Sequence, residues 1–65
     1  MNELYDFLFE FTENSESEGE QFVVECATLD EAWKILREYG FKDGEARYLY
    51  PMSVEEGEML GLDTY

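Results

Sequence analysis

The chemistry available to this chain lies in its carboxylates. Ten of them, from Glu3 to Glu31, occupy the first 31 residues without a basic side chain among them, and the four basic residues all lie between Lys34 and Arg47. The 65-residue chain carries a net charge of −13. Like charges in such number repel one another and destabilise the compact state unless a cationic partner relieves the repulsion. This one-signed field is the first candidate for function.

Other reactive groups are scarce. The chain has no histidine, which removes the commonest general base and the commonest metal ligand. The single cysteine, Cys26, falls on the apolar side of a predicted strand, where a buried structural thiol is expected. Carboxylates alone can form an acid/base pair, but that chemistry needs a cleft with unequal environments, which so short a chain seldom provides. We predict no enzymatic activity and no cofactor.

The acidic segment Glu13–Glu20 offers many oxygen atoms to a cation. The calcium-loop pattern needs Asp or Asn at alternate positions, a central Gly and a distal Glu, and that register is absent here. We therefore predict a solvated loop and no metal site.

Composition also limits the compartment and the partners. A lone cysteine and the lack of a leader-like stretch before Glu3 predict a reduced, cytoplasmic protein. No apolar run approaches the roughly 20 residues that span a bilayer. Anionic lipid and nucleic acid are bound through Lys and Arg, so we expect neither membrane association nor direct nucleic-acid binding.

Alternating apolar residues predict two strands that form a hairpin. Leu4–Thr12 places aromatic residues at its odd positions, and Gln21–Ala27 resumes the alternation after the polar segment Glu13–Gly19. We expect that segment to be a flexible loop. A third strand is predicted from Ala46 to Tyr50, and Pro51 should stop it.

Two capping boxes predict two helices. Thr28 stands three residues before Glu31 and opens a helix expected from Leu29 to Tyr39, and Ser53 with Glu56 opens a short final helix. Along the first helix, Trp33 and Leu36 lie on one apolar stripe and are the predicted centre of the core.

The whole chain, residues 1–65, is therefore predicted to be a single α+β domain of order β-β-α-β-α. We expect a three-stranded antiparallel-type sheet in the order 2-1-3, with one helix packed on one face and the short C-terminal helix nearby. Leu8, Val23 and Leu49 would lie on the other face. Either the final helix covers them through Val54, Met59 and Leu60, or they form a partner surface, for which a homodimer is one candidate.

The acidity itself predicts a recognition surface for a basic protein. Alternate residues of a strand project on one face about 6.6 Å apart, so neighbouring strands can hold carboxylates as a rigid array, whereas carboxylates of the loop would order on binding. A groove built from Arg and Lys to bind phosphates attracts a surface of matching charge density. The predicted partner-binding residues are Asp6, Glu10, Glu13, Glu16, Glu18, Glu20 and Glu25.

In size, charge and α+β pattern the chain resembles the small acidic proteins of bacteriophages, and among them the anti-CRISPR inhibitors that mimic DNA. That resemblance implies binding to a CRISPR effector at its DNA-recognition channel, in the cytoplasm of the host cell. The segment Cys26–Leu36, CATLDEAWKIL, following a hairpin, is also similar to the start of HicB-type antitoxins.

Two hypotheses therefore remain open. The first is an inhibitor that docks its acidic face on a basic nucleic-acid site, with binding that weakens as salt is added. The second is a structural, adaptor or antitoxin-like module that acts by dimerisation or assembly through apolar surface. The alternative reading of the acidity is that it only keeps the protein soluble.

Overall fold

The computed structural model describes residues 3–65, and within them the chain forms four strands and two helices. In chain order these are β1 (Tyr5–Phe11), β2 (Gln21–Cys26), α1 (Leu29–Glu38), β3 (Ala46–Ser53), α2 (Val54–Leu60) and β4 (Asp63–Thr64). The strands make one mixed sheet in the order β3-β1-β2-β4. The predicted α+β class is confirmed.

The predicted sheet was incomplete. The central position of β1 and its antiparallel pairing with β2 and β3 agree with the expected topology. A further strand, β4, adds to the free edge of β2 and runs parallel to it, so the sheet is neither three-stranded nor purely antiparallel. The amide of Tyr65 donates to the carbonyl of Val23 at 2.9 Å and extends this pairing to the last residue. Two paired residues carry no periodicity, which is why the sequence did not indicate β4.

The alternation of β1 divides the core between the two faces of the sheet. On one face, Phe9 and Phe22 are fully buried and their rings stack at 5.5 Å beneath α1. Leu36 is buried there too, but Trp33 is only half-buried and meets the Phe9 ring edge-on at 4.9 Å. The predicted core centre is therefore corrected: it lies in the stacked phenylalanines, with Trp33 at its margin.

β3 continues past the predicted stop at Pro51. Its pairing shifts between Leu8 and Phe9, whose partners are Tyr50 and Tyr48, so Leu49 is the extra residue of a bulge. Pro51 is tolerated because β3 is an edge strand, where the missing N–H removes only an outward donor. The bulge and the proline both make this edge a poor template for pairing with another strand.

Both predicted capping boxes form at least in part. Thr28 accepts a hydrogen bond from the amide of Glu31 at 3.2 Å, and the Glu31 carboxylate accepts from the amide of Ala27 at 3.4 Å, one residue before the cap. Ser53 accepts from the amide of Glu56 at 3.2 Å and begins α2. α1 ends at Glu38, one residue before the predicted Tyr39.

The second face of the sheet is covered within the chain, but not by the residues expected to do so. Leu8 and Val23 are buried with Met52, and Leu49 and Leu62 pack against them. α2 crosses this face with Gly57 inward, whereas Met59 and Leu60 are 88% and 56% exposed. Leu8 and Val23 are therefore core residues and offer no surface to a partner.

Gly57 allows α2 to approach the sheet. A Cβ atom at this position would lie 1.8 Å from Oδ2 of Asp6, inside any permitted contact. Gly57→Ala should therefore lower the free energy of unfolding by about 1–3 kcal/mol, as overpacking does, despite the helix propensity that alanine adds. Urea denaturation measures the change.

Met59→Ala, on the exposed side of the same helix, is the matched control and should change stability by less than about 0.5 kcal/mol. Combining Gly57→Ala with Asp6→Ala should recover stability, because the second substitution removes the clashing carboxylate. Stabilisation by Gly57→Ala alone would contradict this packing.

Candidate acidic interface

The hairpin loop between β1 and β2 presents its carboxylates in an ordered arrangement. Glu16 and Glu18 are exposed, while the intervening Ser15 and Ser17 are half-buried. Ser15 and Glu18 donate backbone hydrogen bonds to the carbonyls of residues 12 and 15, and Glu20 donates to residue 17, so the loop is a series of turns. These turns fix the backbone positions from which the carboxylates of Glu16, Glu18 and Glu20 project.

Side chains at the start of the loop attach it to the turn before β3. The Thr12 hydroxyl donates to the carbonyl of Gly44, and the Asn14 side-chain amide donates to the same oxygen at 3.2 Å. The amide of Thr12 also donates to the carbonyl of Glu45 at 2.8 Å. These long-range contacts fix the orientation of the loop relative to the sheet.

Glu10 is not a free charge. Arg47 donates to its carboxylate at 2.8 Å, the one ion pair found within residues 3–65, and this hydrogen bond lowers the pKa of Glu10. The side chains of Glu10 and Arg47 are 22% and 63% exposed, so solvent screens the pair and it adds little to stability. One of the ten carboxylates of the first 31 residues is therefore compensated by a cation that is distant in sequence.

Asp6 is withdrawn from the surface altogether. It is 3% exposed beneath α2, and its Oδ1 atom has no hydrogen-bond partner among the described residues. Burial raises the pKa of Asp6, and the negative charges of Glu25 and Glu58 raise it further. The prediction that Asp6 is a surface contact is corrected, because α2 packs over this carboxylate, and that packing was not evident from the alternation of β1.

The remaining predicted carboxylates are exposed: Glu13, Glu16, Glu18, Glu20 and Glu25. A further set of exposed carboxylates, not predicted as contacts, comes from α2 and β4: Glu55, Glu56, Glu58 and Asp63. The capping box at Ser53 indicated that α2 exists, but not that it packs on the face opposite α1. Glu58 of α2 and Glu25 of β2 both raise the pKa of Asp6, and Glu25 is the residue paired with Asp6 between β1 and β2.

Three of the four basic residues lie on α1 and in the turn that follows it. Lys34 and Arg37 are exposed on α1, and Lys42 follows in the next turn. Arg37 and Lys42 line a cleft of about 240 Å³ together with Trp33 and Phe41. Residues 29–45 thus carry five carboxylates and three cations, whereas the hairpin loop (residues 12–20) and the segment 54–63 carry four carboxylates each and no cation.

Other chemistries find no support in the part of the chain that the structure describes. Cys26 is buried, its thiol donates to the carbonyl of Thr28 at 3.2 Å, and burial raises its pKa, which makes the thiolate scarce. Across residues 3–65, no group of three or more potential ligand side chains is arranged to hold a metal ion. Neither helix described is long and apolar enough to cross a membrane.

Comparison with protein families, with curated proteins and with solved structures finds no match to this chain.

Asp6 gives the protein a specific dependence on pH. Because the folded-state pKa is raised, the carboxyl favours folding most below its unfolded pKa of about 3.9, and this contribution is lost as the pH rises through the folded-state value. Asp6→Asn removes the ionisation with little change of shape. The variant should be more stable than the parent at pH 7, and the difference should shrink on acidification. Urea unfolding over this pH range measures both.

Glu18→Gln, which removes the same charge from an exposed position, is the matched control. It relieves general repulsion only, so its gain in stability at pH 7 should be the smaller one. Equal gains from the two variants would show that burial of Asp6 contributes nothing of its own.

Proposed function

We propose that this protein is an inhibitor that occupies a basic nucleic-acid-binding site of another protein by presenting carboxylates in place of phosphates. The observation that carries the proposal is the separation of charge in the fold. Three of the four basic residues lie on α1 and the turn after it, and the fourth, Arg47, is paired with Glu10. Within residues 3–65, the carboxylates of the hairpin loop, α2 and β4 are exposed and form no ion pair.

The order of the hairpin loop adds to this proposal. Duplex DNA places one negative charge at about every 1.7 Å along its axis, and a protein groove that binds it is lined with Arg and Lys. A surface that competes for such a groove must hold its charges before binding, since ordering each long side chain costs free energy. The turns from Ser15 to Glu20 and the anchoring of Thr12 and Asn14 to Gly44 supply part of this preorganisation, because they fix the backbone and leave only the glutamate side chains to order.

The resemblance to DNA-mimicking anti-CRISPR proteins suggests a CRISPR effector as the partner class, acting in the cytoplasm of a phage-infected cell. The proposal extends to any basic nucleic-acid-binding protein with a groove of suitable shape. Neither a cofactor nor direct binding to nucleic acid forms part of it.

The second candidate is an adaptor or antitoxin-like module that assembles through apolar surface. The exposure of Met59 and Leu60 on α2 favours it. The edge of β3 speaks against assembly by strand pairing, because the bulge at Leu49 and the missing N–H of Pro51 interrupt its outward donors. Apolar assembly should be nearly indifferent to salt, which separates the two candidates.

Capture of partners from a bacterial lysate tests the proposal. The immobilised protein should retain basic nucleic-acid-binding proteins at about 50 mM salt, release them to competitor DNA, and lose at least about tenfold of the capture at about 200 mM salt. A triple variant should abolish most of the capture, because it neutralises three of the four exposed carboxylates of the hairpin loop. Its substitutions are Glu16→Gln, Glu18→Gln and Glu20→Gln.

A matched triple variant controls for net charge. Asp30→Asn, Glu38→Gln and Asp43→Asn remove three carboxylates from α1 and the turn after it, and leave the same total charge. This variant should retain capture close to that of the parent. Equal loss in both triple variants, or capture that resists both salt and DNA, would refute a DNA-mimicking surface.

A further inference from the structure

A cleft of about 310 Å³ lies at the edge of the sheet, where the base of the hairpin loop meets the turn between α2 and β4. Glu20 and Phe11 line it from the hairpin, and Leu62 and Asp63 line it from the turn. It is separate from the cleft beside Arg37 and Lys42, which has cations in its wall. The cleft therefore lies between two acidic segments that are distant in sequence, the hairpin loop and residues 54–63.

Part of the cleft wall is aromatic and aliphatic, and the remainder is polar. The rings of Phe11 and Phe22 lie 4.8 Å apart between centroids, and Leu62 completes the apolar part. Phe22 is buried, whereas Phe11 and Leu62 are half-buried and leave part of their carbon surface open. This surface suits an aliphatic chain or a flat group that stacks on a ring.

The rim of the cleft carries two carboxylates. Glu20 and Asp63 are exposed, and in the described part of the chain neither forms an ion pair. Backbone structure fixes both positions: the carbonyl of Glu20 accepts from the amide of Phe11 at 2.9 Å, and Asp63 pairs with Phe22 in the sheet. Gly61, at φ 67°, ends α2 in the left-handed conformation and turns the chain back towards β2.

We infer that this cleft binds one arginine side chain of the partner protein. The aliphatic part of arginine packs on Phe11 and Leu62, and its guanidinium group reaches the carboxylates of Glu20 and Asp63. Arginine suits the site better than lysine, because its planar, weakly hydrated cation stacks on aromatic rings and donates hydrogen bonds to two acceptors at once. The inference rests on the proposed function. Within the wider acidic surface, this contact sets the position at which the partner docks.

Titration with N-acetyl-arginine amide, followed by the amide NMR spectrum of the whole protein, tests the inference. Its isosteric neutral counterpart, N-acetyl-citrulline amide, and N-acetyl-lysine amide serve as comparison probes. We expect shifts centred on Phe11, Phe22 and Leu62 with the arginine probe, weaker shifts with lysine and none with citrulline. Equal response to citrulline and arginine would overturn the inference, since it would remove any role for charge.

Paired variants locate the binding. Glu20→Gln with Asp63→Asn should weaken binding of the arginine probe by at least about tenfold. Glu16→Gln with Glu18→Gln, which leaves the same net charge, should weaken it less than about twofold. The spectrum of each variant without probe confirms that it is folded.

The outcomes separate this inference from the proposed function. Equal weakening in the two pairs of variants would mean that the probe follows the general field, so the cleft would not be a specific site while the proposed function could stand. Tight binding at the cleft, with capture of basic proteins that is insensitive to salt, would support the site and contradict the DNA-mimicking role.

Discussion

β1 is hydrogen-bonded along both edges, to β2 and to β3, and its side chains are buried on both faces of the sheet. This double burial is the constraint on which the rest of the structure depends. α1 must cover the phenylalanines on one face, and α2 must cover Leu8 on the other. Once both helices are in place, the charged residues are confined to the helix exteriors, the loops and the sheet edges. This packing keeps charge out of most of the core, and the sequence separates it by sign, with three cations in residues 34–42 and none in residues 12–20 or 54–63.

Asp6 is the exception to this division and a source of instability. A carboxylate in the middle of β1 is enclosed by α2 without a hydrogen-bond partner for Oδ1, and two further carboxylates raise its pKa. Within residues 3–65 a single exposed ion pair, that of Glu10 and Arg47, opposes the repulsion. A domain of this size has little stability to lose. A cationic partner that binds only the folded state would stabilise it by mass action, which couples binding to folding.

Local patterns in the sequence were sufficient for most of the fold. Alternation predicted the hairpin, the apolar content of β1 predicted its central position, and the Thr28 capping box placed the start of α1. The bulge at Leu49 was not predictable from the sequence, because it depends on pairing with β1. It places Tyr48 and Tyr50 on opposite faces of the sheet, whereas simple alternation would place them on the same face. β4 is held by tertiary contacts alone. The hairpin carboxylates could be identified because the hairpin follows from local sequence. The burial of Asp6 and the carboxylates that α2 adds to the acidic surface became evident only in the packed structure, because they depend on contacts between distant elements.

The central claim is that the negative field of this molecule is one-sided, with its maximum over the hairpin loop, α2 and β4. Paramagnetic relaxation of the backbone amides by a cationic and a neutral nitroxide measures that field directly, because a cation accumulates where the potential is negative. The account predicts that the ratio of cationic to neutral enhancement is highest at residues 13–20 and 54–63 and lowest at residues 34–42. A ratio that is uniform over the chain, or highest along α1, would contradict it.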